Sequence, residues 1–189
     1  MKVILIGYRA TGKSTVGRLL AGKLKLPFAD TDSLIESRAG MPIKELVARE
    51  GWEAFREKER DVVASLRQTG IGVVATGGGV VLSGANRDLL KKMGILIYLK
   101  SPLQEIVERL RQDARGEQTR PQFTSETLVA ETMAMLAERV PIYESVADFT
   151  VDTAGKSIVQ INDDIYRHLL ESGVLSDLDQ TNKRSRKKR

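Results

Sequence analysis

Residues Gly7 to Ser14 read GYRATGKS, and this stretch decides the fold of the 189-residue chain. It matches the pattern G-x-x-x-x-G-K-[ST] at every fixed position, and such a loop wraps backbone N–H groups around the phosphates of a nucleotide. Gly7 and Gly12 permit backbone angles and a close approach to the anion that a Cβ would forbid. Lys13 is predicted to reach the β- and γ-phosphates, and the Ser14 hydroxyl is predicted to ligate Mg²⁺.

The segments on either side of this loop favour a functional site over a chance match. Lys2–Ile6 is an apolar, β-branched run typical of a buried parallel strand. After the loop, apolar residues recur at helical spacing until Pro27, which cannot continue a helix. The order strand, glycine loop, helix is the one the chemistry needs, because the helix N-terminus directs its dipole at the phosphates.

Strand-like and helix-like segments alternate along the rest of the chain, which predicts an α/β fold with a parallel sheet. The predicted strands are Val3–Ile6, Pro27–Ala29, Gly72–Ala75, Ile95–Leu99 and Asp148–Val151. The predicted helices cover about 13–25, 31–38, 43–49, 53–68, 86–92, 103–112, 125–145 and 156–172. The polar stretch between residues 115 and 123 is expected to form a surface loop that acts as a mobile lid.

Composition narrows the class of protein. A charged fraction of 29% and a hydrophobic fraction of 41% suit a globular domain. The absence of cysteine excludes disulfides and thiolate metal sites, and a single histidine favours a hard, oxygen-bound ion such as Mg²⁺. No signal peptide is recognisable and no apolar run is long enough to cross a bilayer, so we expect a cytoplasmic protein with no membrane partner.

The net charge of +5 is a property of the C-terminal residues. Residues 181–189 hold six lysines and arginines and no acid, which leaves 24 basic and 25 acidic residues in the remainder. A short basic run can touch nucleic acid or an acidic partner. No aromatic residue or motif accompanies this one, so a solvated, disordered tail is the preferred interpretation and nucleic acid is not expected as a partner.

Two further groups of residues stand at the ends of predicted strands. Asp30 and Asp32 could hold the water shell of a metal ion and accept or position a hydroxyl proton, and either could equally cap the helix that starts near Thr31. The run Gly77–Gly79 allows backbone N–H groups to approach a ligand, although a plain loop with unusual dihedrals is the alternative. Its place at the carboxyl end of a strand, where the phosphate loop also lies, favours the ligand.

Together these residues resemble the shikimate kinase family. Over about residues 2–170 the matching segments follow the family's order: Gly7–Leu20, Asp30–Asp32, Phe55-Arg56 with Glu59, Gly77–Gly79, Arg120-Pro121, and Arg139 before Pro141 and Tyr143. The resemblance implies transfer of the ATP γ-phosphoryl group to the 3-hydroxyl of shikimate, in the chorismate route to aromatic amino acids.

The resemblance also implies an architecture. This is a three-layer P-loop NTPase fold like that of nucleoside monophosphate kinases, with a central parallel five-stranded sheet flanked by helices. A single kinase domain is expected over residues 1–172. Within it a helical segment at about 31–62 would bind substrate and a mobile lid would lie at about 111–124, whereas 173–189 would form the disordered tail.

The same resemblance assigns roles to individual residues. The implied nucleotide contacts are Gly7, Gly12, Lys13, Ser14, Thr15, Arg111 and Arg120. The implied shikimate contacts are Asp32, Arg56, Gly77, Gly78, Gly79 and Arg139, with the arginines on the carboxylate and Asp32 on hydroxyls. Ser14 and Asp30 are implied at the magnesium ion. Lys13, Asp32 and Arg120 are implied in catalysis, with Asp32 as the candidate general base.

The chain departs from the family pattern at two places. Ala10-Thr11 stand where many members carry Gly-Ala, and Ala10 is expected to be harmless only if its φ is negative. Gln122-Phe123 replace two expected leucines in the lid. The alternatives are a related kinase of another small hydroxylated acid such as gluconate, which should lack the acid-binding set, and a non-catalytic nucleotide-binding regulatory module. A monomer is expected.

Overall fold

A single parallel sheet organises the molecule, whose computed structural model describes residues 1–112 and 128–175. The strands are β1 Lys2–Ile6, β2 Phe28–Asp30, β3 Val73–Ala75, β4 Gly94–Lys100 and β5 Phe149–Asp152. Their order across the sheet is β2-β3-β1-β4-β5, and every neighbouring pair is parallel. The predicted five-stranded parallel sheet is therefore confirmed, and the strand that leads into the phosphate loop lies at its centre.

Helices connect the strands. They are α1 Lys13–Leu24, α2 Thr31–Ala39, α3 Ile43–Leu66, α4 Gly84–Met93, α5 Leu103–Gln112, α6 Leu128–Val146 and α7 Ile158–Glu171. A short 3₁₀ turn at Val80–Leu82 was not predicted. Helix α3 is broken at Gly51, where φ is 86° and ψ is 171°. The two helices predicted at 43–49 and 53–68 therefore correspond to its two arms.

Three layers follow from the alternation of side chains along the central strand. Ile4 and Ile6 of β1 pack into the core cluster that α3, α4 and α6 complete. Val3 and Leu5 point to the opposite face and pack against α1 and α7. Both faces of the sheet are covered, which explains why β1 reads as a continuous apolar run rather than an alternating one.

Helices α2 and α3 carry a separate apolar cluster. Its buried members are Ile35, Ile43, Leu46, Phe55 and Val62. The segment predicted at about 31–62 to bind substrate is therefore a packed unit with its own small core. That core supports the face of α3 on which Arg56 and Glu59 lie.

Two predicted features fall mostly outside the described residues. Residues 113–127 include Arg120, Gln122 and Phe123 and most of the predicted lid, and residues 176–189 include the basic run. Within the described ranges, no helix combines the length and apolar character needed to cross a bilayer.

Candidate active site

The phosphate loop connects β1 to α1 and is organised around one carbonyl group. Both the Lys13 ammonium and the Thr11 hydroxyl donate to the Tyr8 carbonyl oxygen, the latter at 2.8 Å. Lys13 is buried although it is charged, so its Nζ lies inside the curve of the loop. Gly7 and Gly12 have φ values of 142° and 87°, and a Cβ on Gly7 would come within 2.8 Å of the Leu99 carbonyl oxygen. The predicted need for glycine is met at both positions.

Ala10 departs from the expectation drawn from its sequence position. Its φ is 61°, in the left-handed region, so the condition under which alanine would be harmless there is not met. A non-glycine residue in that region costs roughly 1–2 kcal/mol. Arg109 of α5 donates from Nη1 to the Ala10 carbonyl oxygen at 3.4 Å, and this contact helps to hold the strained residue in place.

Asp30 caps the helix that follows it and also contacts the phosphate loop. Its Oδ1 accepts from the backbone N–H groups of Asp32, at 2.9 Å, and Ser33, at 3.4 Å, so it caps α2. Its Oδ2 accepts a hydrogen bond from the Ser14 hydroxyl. One carboxylate therefore makes both the cap and the contact to Ser14, and its role at the magnesium ion stays a prediction.

Ser14 and Asp30 form a site of the kind that Mg²⁺ uses in phosphoryl transfer. Both present hard oxygen donors, and Mg²⁺ is usually held by one or two such groups together with waters and substrate phosphates. Among residues 1–112 and 128–175, no group of three or more histidine, cysteine, aspartate or glutamate side chains could hold a metal. The donor set thus fits an ion that arrives with a nucleotide rather than one in a dedicated protein cage.

Beside the loop lies a pocket that unites segments far apart in sequence. Its lining residues are Tyr8, Arg9, Asp32, Ile43, Trp52, Phe55, Arg56, Glu59, Gly77, Gly78, Gly79 and Arg139. All six predicted substrate contacts are among them. Sequence reasoning assigned no site role to the other six. Trp52 and Phe55 pack edge to face, with ring centroids 5.7 Å apart, and form the apolar wall.

The three glycines are needed for close approach rather than for backbone angles. None of them has a φ in the left-handed region between about +20° and +160°. A Cβ on Gly77 would overlap Asp32 Oδ1, one on Gly78 would come within 3.1 Å of the Arg9 nitrogen, and one on Gly79 would come within 2.6 Å of Arg56 Nη2. Each glycine therefore makes room for a different part of the site, and the loop alternative based on unusual dihedrals is wrong.

Arg56 is fixed by a buried carboxylate on the next turn of α3. Its Nη1 donates to both oxygens of Glu59, at 2.9 and 2.8 Å, and the Glu59 residue is only 1% exposed. Burial raises the pKa of the Glu59 carboxyl, and the positive charge of Arg56 opposes that rise. A guanidinium held in this way is prepared to bind a planar carboxylate with its remaining donors.

Arg139 enters the same pocket from α6. It is 7% exposed, and its guanidinium carbon lies 5.8 Å from the centroid of the Tyr8 ring. One turn later Tyr143 donates its hydroxyl to the Gly78 carbonyl oxygen and stacks on Tyr98 at 5.0 Å. Burial raises the pKa of Tyr98 to about 12 and that of Tyr143 further, so both hydroxyls stay neutral and α6 is attached to the glycine run.

Helix α5 faces the other side of the phosphate loop. Arg111 is exposed in its last turn and stays a prediction as a nucleotide contact. Arg109, which sequence reasoning missed, bonds to Glu105 at 2.6 Å as well as to the loop. The second oxygen of Glu105 accepts from the Gly155 N–H at 2.9 Å. The i,i+4 spacing of Glu105 and Arg109 is the sequence signal that could have singled out this pair.

Comparison with known proteins agrees with this geometry. The family model described as shikimate kinase matches residues 9–170. A shikimate kinase of Syntrophus aciditrophicus is 44% identical over 173 residues, which is 87% of this chain and 89% of that protein. A shikimate kinase 2 of Sodalis glossinidius is 37% identical over 169 residues, covering 89% of this chain and 93% of the relative.

Solved structures give the same result. Shikimate kinase from Acinetobacter baumannii in complex with shikimate superposes with a TM-score of 0.84 at 32% identity, covering 90% of this chain and 93% of that one. A gluconokinase from Sinorhizobium meliloti reaches 0.51 at 14% identity, over 99% of this chain and 96% of the other, which is a likeness of fold alone. The chain belongs to the shikimate kinase family.

Proposed function

We propose that the protein transfers the γ-phosphoryl group of ATP to the 3-hydroxyl of shikimate, with Mg²⁺, to give shikimate 3-phosphate and ADP. The observation that carries the proposal is a pocket beside the phosphate loop whose lining includes Arg56, Arg139 and Asp32. A small polyhydroxylated acid matches this set, because guanidinium groups pair with a carboxylate and a carboxylate accepts from hydroxyls. The reaction belongs to the biosynthesis of chorismate and the aromatic amino acids.

In this proposal Arg56 and Arg139 bind the carboxylate of shikimate. Asp32 orients the hydroxyl and accepts its proton, in a position where Gly77 leaves space for the Asp32 side chain. Trp52 and Phe55 cover the carbon ring. Phosphoryl transfer requires positioning and charge neutralisation more than covalent help from the protein, which is what these contacts supply.

On the nucleotide side, Lys13 neutralises charge on the transferring group, and the backbone N–H groups from Gly7 to Thr15 bind the phosphates. The Ser14 hydroxyl, with Asp30 beside it, would hold Mg²⁺, which would supply positive charge against the phosphates. Arg120 is proposed to meet the phosphates from the lid, and Arg111 to lie beside the base. Exclusion of water by the lid would protect ATP from hydrolysis. We also propose a cytoplasmic monomer.

The test is a coupled assay of ADP release with ATP, Mg²⁺ and shikimate, run beside shikimate-free and gluconate controls. The expected result is ADP release that depends on shikimate and not on gluconate. Asp32→Asn should lower kcat about a hundredfold or more while the KM for ATP changes little, because it removes the hydroxyl anchor without touching the phosphate loop. No stimulation by shikimate, with ATP still bound, would refute the proposal.

A further inference from the structure

Two consecutive residues of the phosphate loop contact α6, the helix that supplies Arg139. The Tyr8 ring lies under the Arg139 guanidinium, as described above. Next to it, Arg9 Nη2 lies 3.4 Å from the Glu131 carboxylate oxygen Oε1. Glu131 and Arg139 are eight residues apart, roughly 12 Å along a helix. The loop thus contacts α6 at two positions, one in its first turn and one about two turns later.

The Arg9–Glu131 pair is largely buried. The side chains are 13% and 1% exposed. A buried ion pair adds little net stability, because removing both charges from water costs about as much as their attraction returns. Breaking such a pair by truncating one partner is nevertheless costly. The pair is therefore better suited to fix the relative position of two elements than to stabilise the fold.

Neither residue is required by phosphate binding as such. Arg9 occupies a variable position of G-x-x-x-x-G-K-[ST], whose fixed residues are Gly7, Gly12, Lys13 and Ser14. Glu131 lies in the first turn of α6, close after the segment that includes Arg120. The backbone nitrogen of Arg9 also approaches Gly78, so a displacement of Arg9 would affect the glycine run as well.

We propose that Arg9 and Glu131 are a positioning pair that couples the phosphate loop to α6, so that nucleotide bound at the loop tightens binding of the acid substrate through Arg139. This inference rests on the proposed function. A nucleotide that fixes the backbone of residues 7–14 fixes Arg9, and through Glu131 it fixes the start of the helix whose later turn holds Arg139. Coupling of this kind arises when two ligands favour the same arrangement of one shared element, which here is α6.

The test uses the single tryptophan of the chain, because Trp52 lines the acid pocket. Shikimate is titrated by Trp52 fluorescence without nucleotide and with saturating Mg-ADP, which cannot donate a phosphoryl group. The ratio of the two dissociation constants is the coupling factor. The full-length wild type is expected to show a factor of about five or more. Its ability to phosphorylate shikimate is measured in parallel.

Glu131→Gln, Arg9→Met and the double variant are then compared. Each is expected to lower the coupling factor to below about two, with the double variant no worse than either single one, since both singles break the same contact. The double variant removes both buried charges at similar volume and so retains the fold if a single variant does not. Asp163→Asn is the matched control, because it breaks the exposed pair with Lys23, 2.8 Å across α1 and α7, far from the pocket.

Several outcomes would overturn the inference. If Glu131→Gln or the double variant keeps the wild-type factor, the pair is only structural. A loss in Arg9→Met alone would mean that Arg9 contacts the ligand directly and that Glu131 does not position it. A wild type that phosphorylates shikimate with a factor of one refutes the coupling and leaves the proposed function standing. A wild type that neither binds nor phosphorylates shikimate refutes both.

Discussion

The two halves of the site are built in different ways. On the acid side, side chains from separate elements meet in one pocket, and glycines make room for two of them. Around the phosphate loop, backbone groups dominate, and Lys13 and Thr11 bond to a carbonyl of their own loop. The acid half depends on residues brought together by the fold, whereas the phosphate loop itself lies within one short stretch of chain.

This difference teaches where specificity lies. A loop of backbone N–H groups binds any nucleotide triphosphate, and many unrelated enzymes share it. In the proposed function the acid half selects the substrate, because its guanidinium and carboxylate groups pair with the carboxylate and hydroxyls of shikimate. Changes in the phosphate loop should therefore mainly affect kcat, whereas changes in the acid half should mainly affect shikimate binding.

Lys13→Ala should have the largest effect. It removes a charge needed as the phosphoryl group moves, so kcat should fall about a thousandfold or more. Shikimate binding, followed by Trp52 fluorescence, should stay within about threefold if the halves are separate. Lys23→Ala, on the same helix but 38% exposed and paired with Asp163, is the control and should keep wild-type turnover. Residual Lys13→Ala activity within tenfold of wild type would contradict the assigned role.

Arg139→Ala should act mainly on the other half. Loss of a buried guanidinium that pairs with a substrate carboxylate should raise the shikimate dissociation constant about a hundredfold. The KM for ATP should change by less than about threefold. Arg167→Ala removes a 65% exposed arginine on α7 and should leave both constants unchanged. If the KM for ATP rises and the shikimate dissociation constant does not, Arg139 belongs to the nucleotide half and the assignment is wrong.

The pH dependence of shikimate binding should reveal Glu59. Burial raises its pKa above the ordinary value of 4.5, so the carboxylate is protonated at a higher pH than an exposed glutamate and then loses its bidentate bond to Arg56. Shikimate affinity should therefore fall as pH is lowered through that raised pKa. Glu59→Gln should bind about tenfold more weakly at neutral pH and lose this acid limb. Parallel pH profiles of the two proteins in fluorescence titrations would contradict the assignment.

The same group makes a signed prediction for stability. Because the folded-state pKa of Glu59 is raised, its contribution to stability is fully present below the unfolded value and is lost as pH rises through the folded value. The free energy of unfolding of the wild type, measured in urea, should therefore fall relative to that of Glu59→Gln as pH rises from the unfolded-state pKa to the raised folded-state pKa. A gap that is constant with pH would show that the carboxyl titrates normally in the fold.

Ala10→Gly should have the smallest effect. Relief of the left-handed alanine is worth roughly 1–2 kcal/mol, and the added freedom of glycine in the unfolded chain takes back about 0.4–1 kcal/mol. A gain of about 0–1.6 kcal/mol in the free energy of unfolding in urea is expected, with kcat unchanged. Ala64→Gly, at an exposed position inside α3, should instead lose about 1 kcal/mol. Equal losses at both positions would mean that Ala10 is not strained in solution.

The sheet and the phosphate loop could be predicted from the sequence because local patterns determine both. Strand, glycine loop and helix follow one another directly, and periodicity reveals each. The sequence could not show that Arg56 and Arg139 meet, since they are 83 positions apart along the chain and only the fold closes that distance. Their assignment to one substrate came from the family resemblance, and the shared pocket agrees with it.

The residues that were missed have weaker signals for physical reasons. Arg9 occupies a variable motif position, and nothing in the sequence connects it to Glu131, 122 residues later. Arg109 and Arg111 both lie near the end of α5, and only the direction of the helix shows which of them reaches Ala10. Asp30 could not be assigned to one role from spacing alone, because it performs the helix cap and the contact to Ser14 at once.

The order of the strands separates the two ligands in space. Asp32 and the glycine run follow β2 and β3, on one side of the central β1, whereas Gly155 and Arg109 follow β5 and β4 on the other. The phosphate loop, at the end of β1, lies between them. An acid can therefore approach from one edge of the sheet and a nucleotide base from the opposite edge. We therefore expect kinetics without a compulsory order of arrival, because neither ligand has to pass through the proposed position of the other.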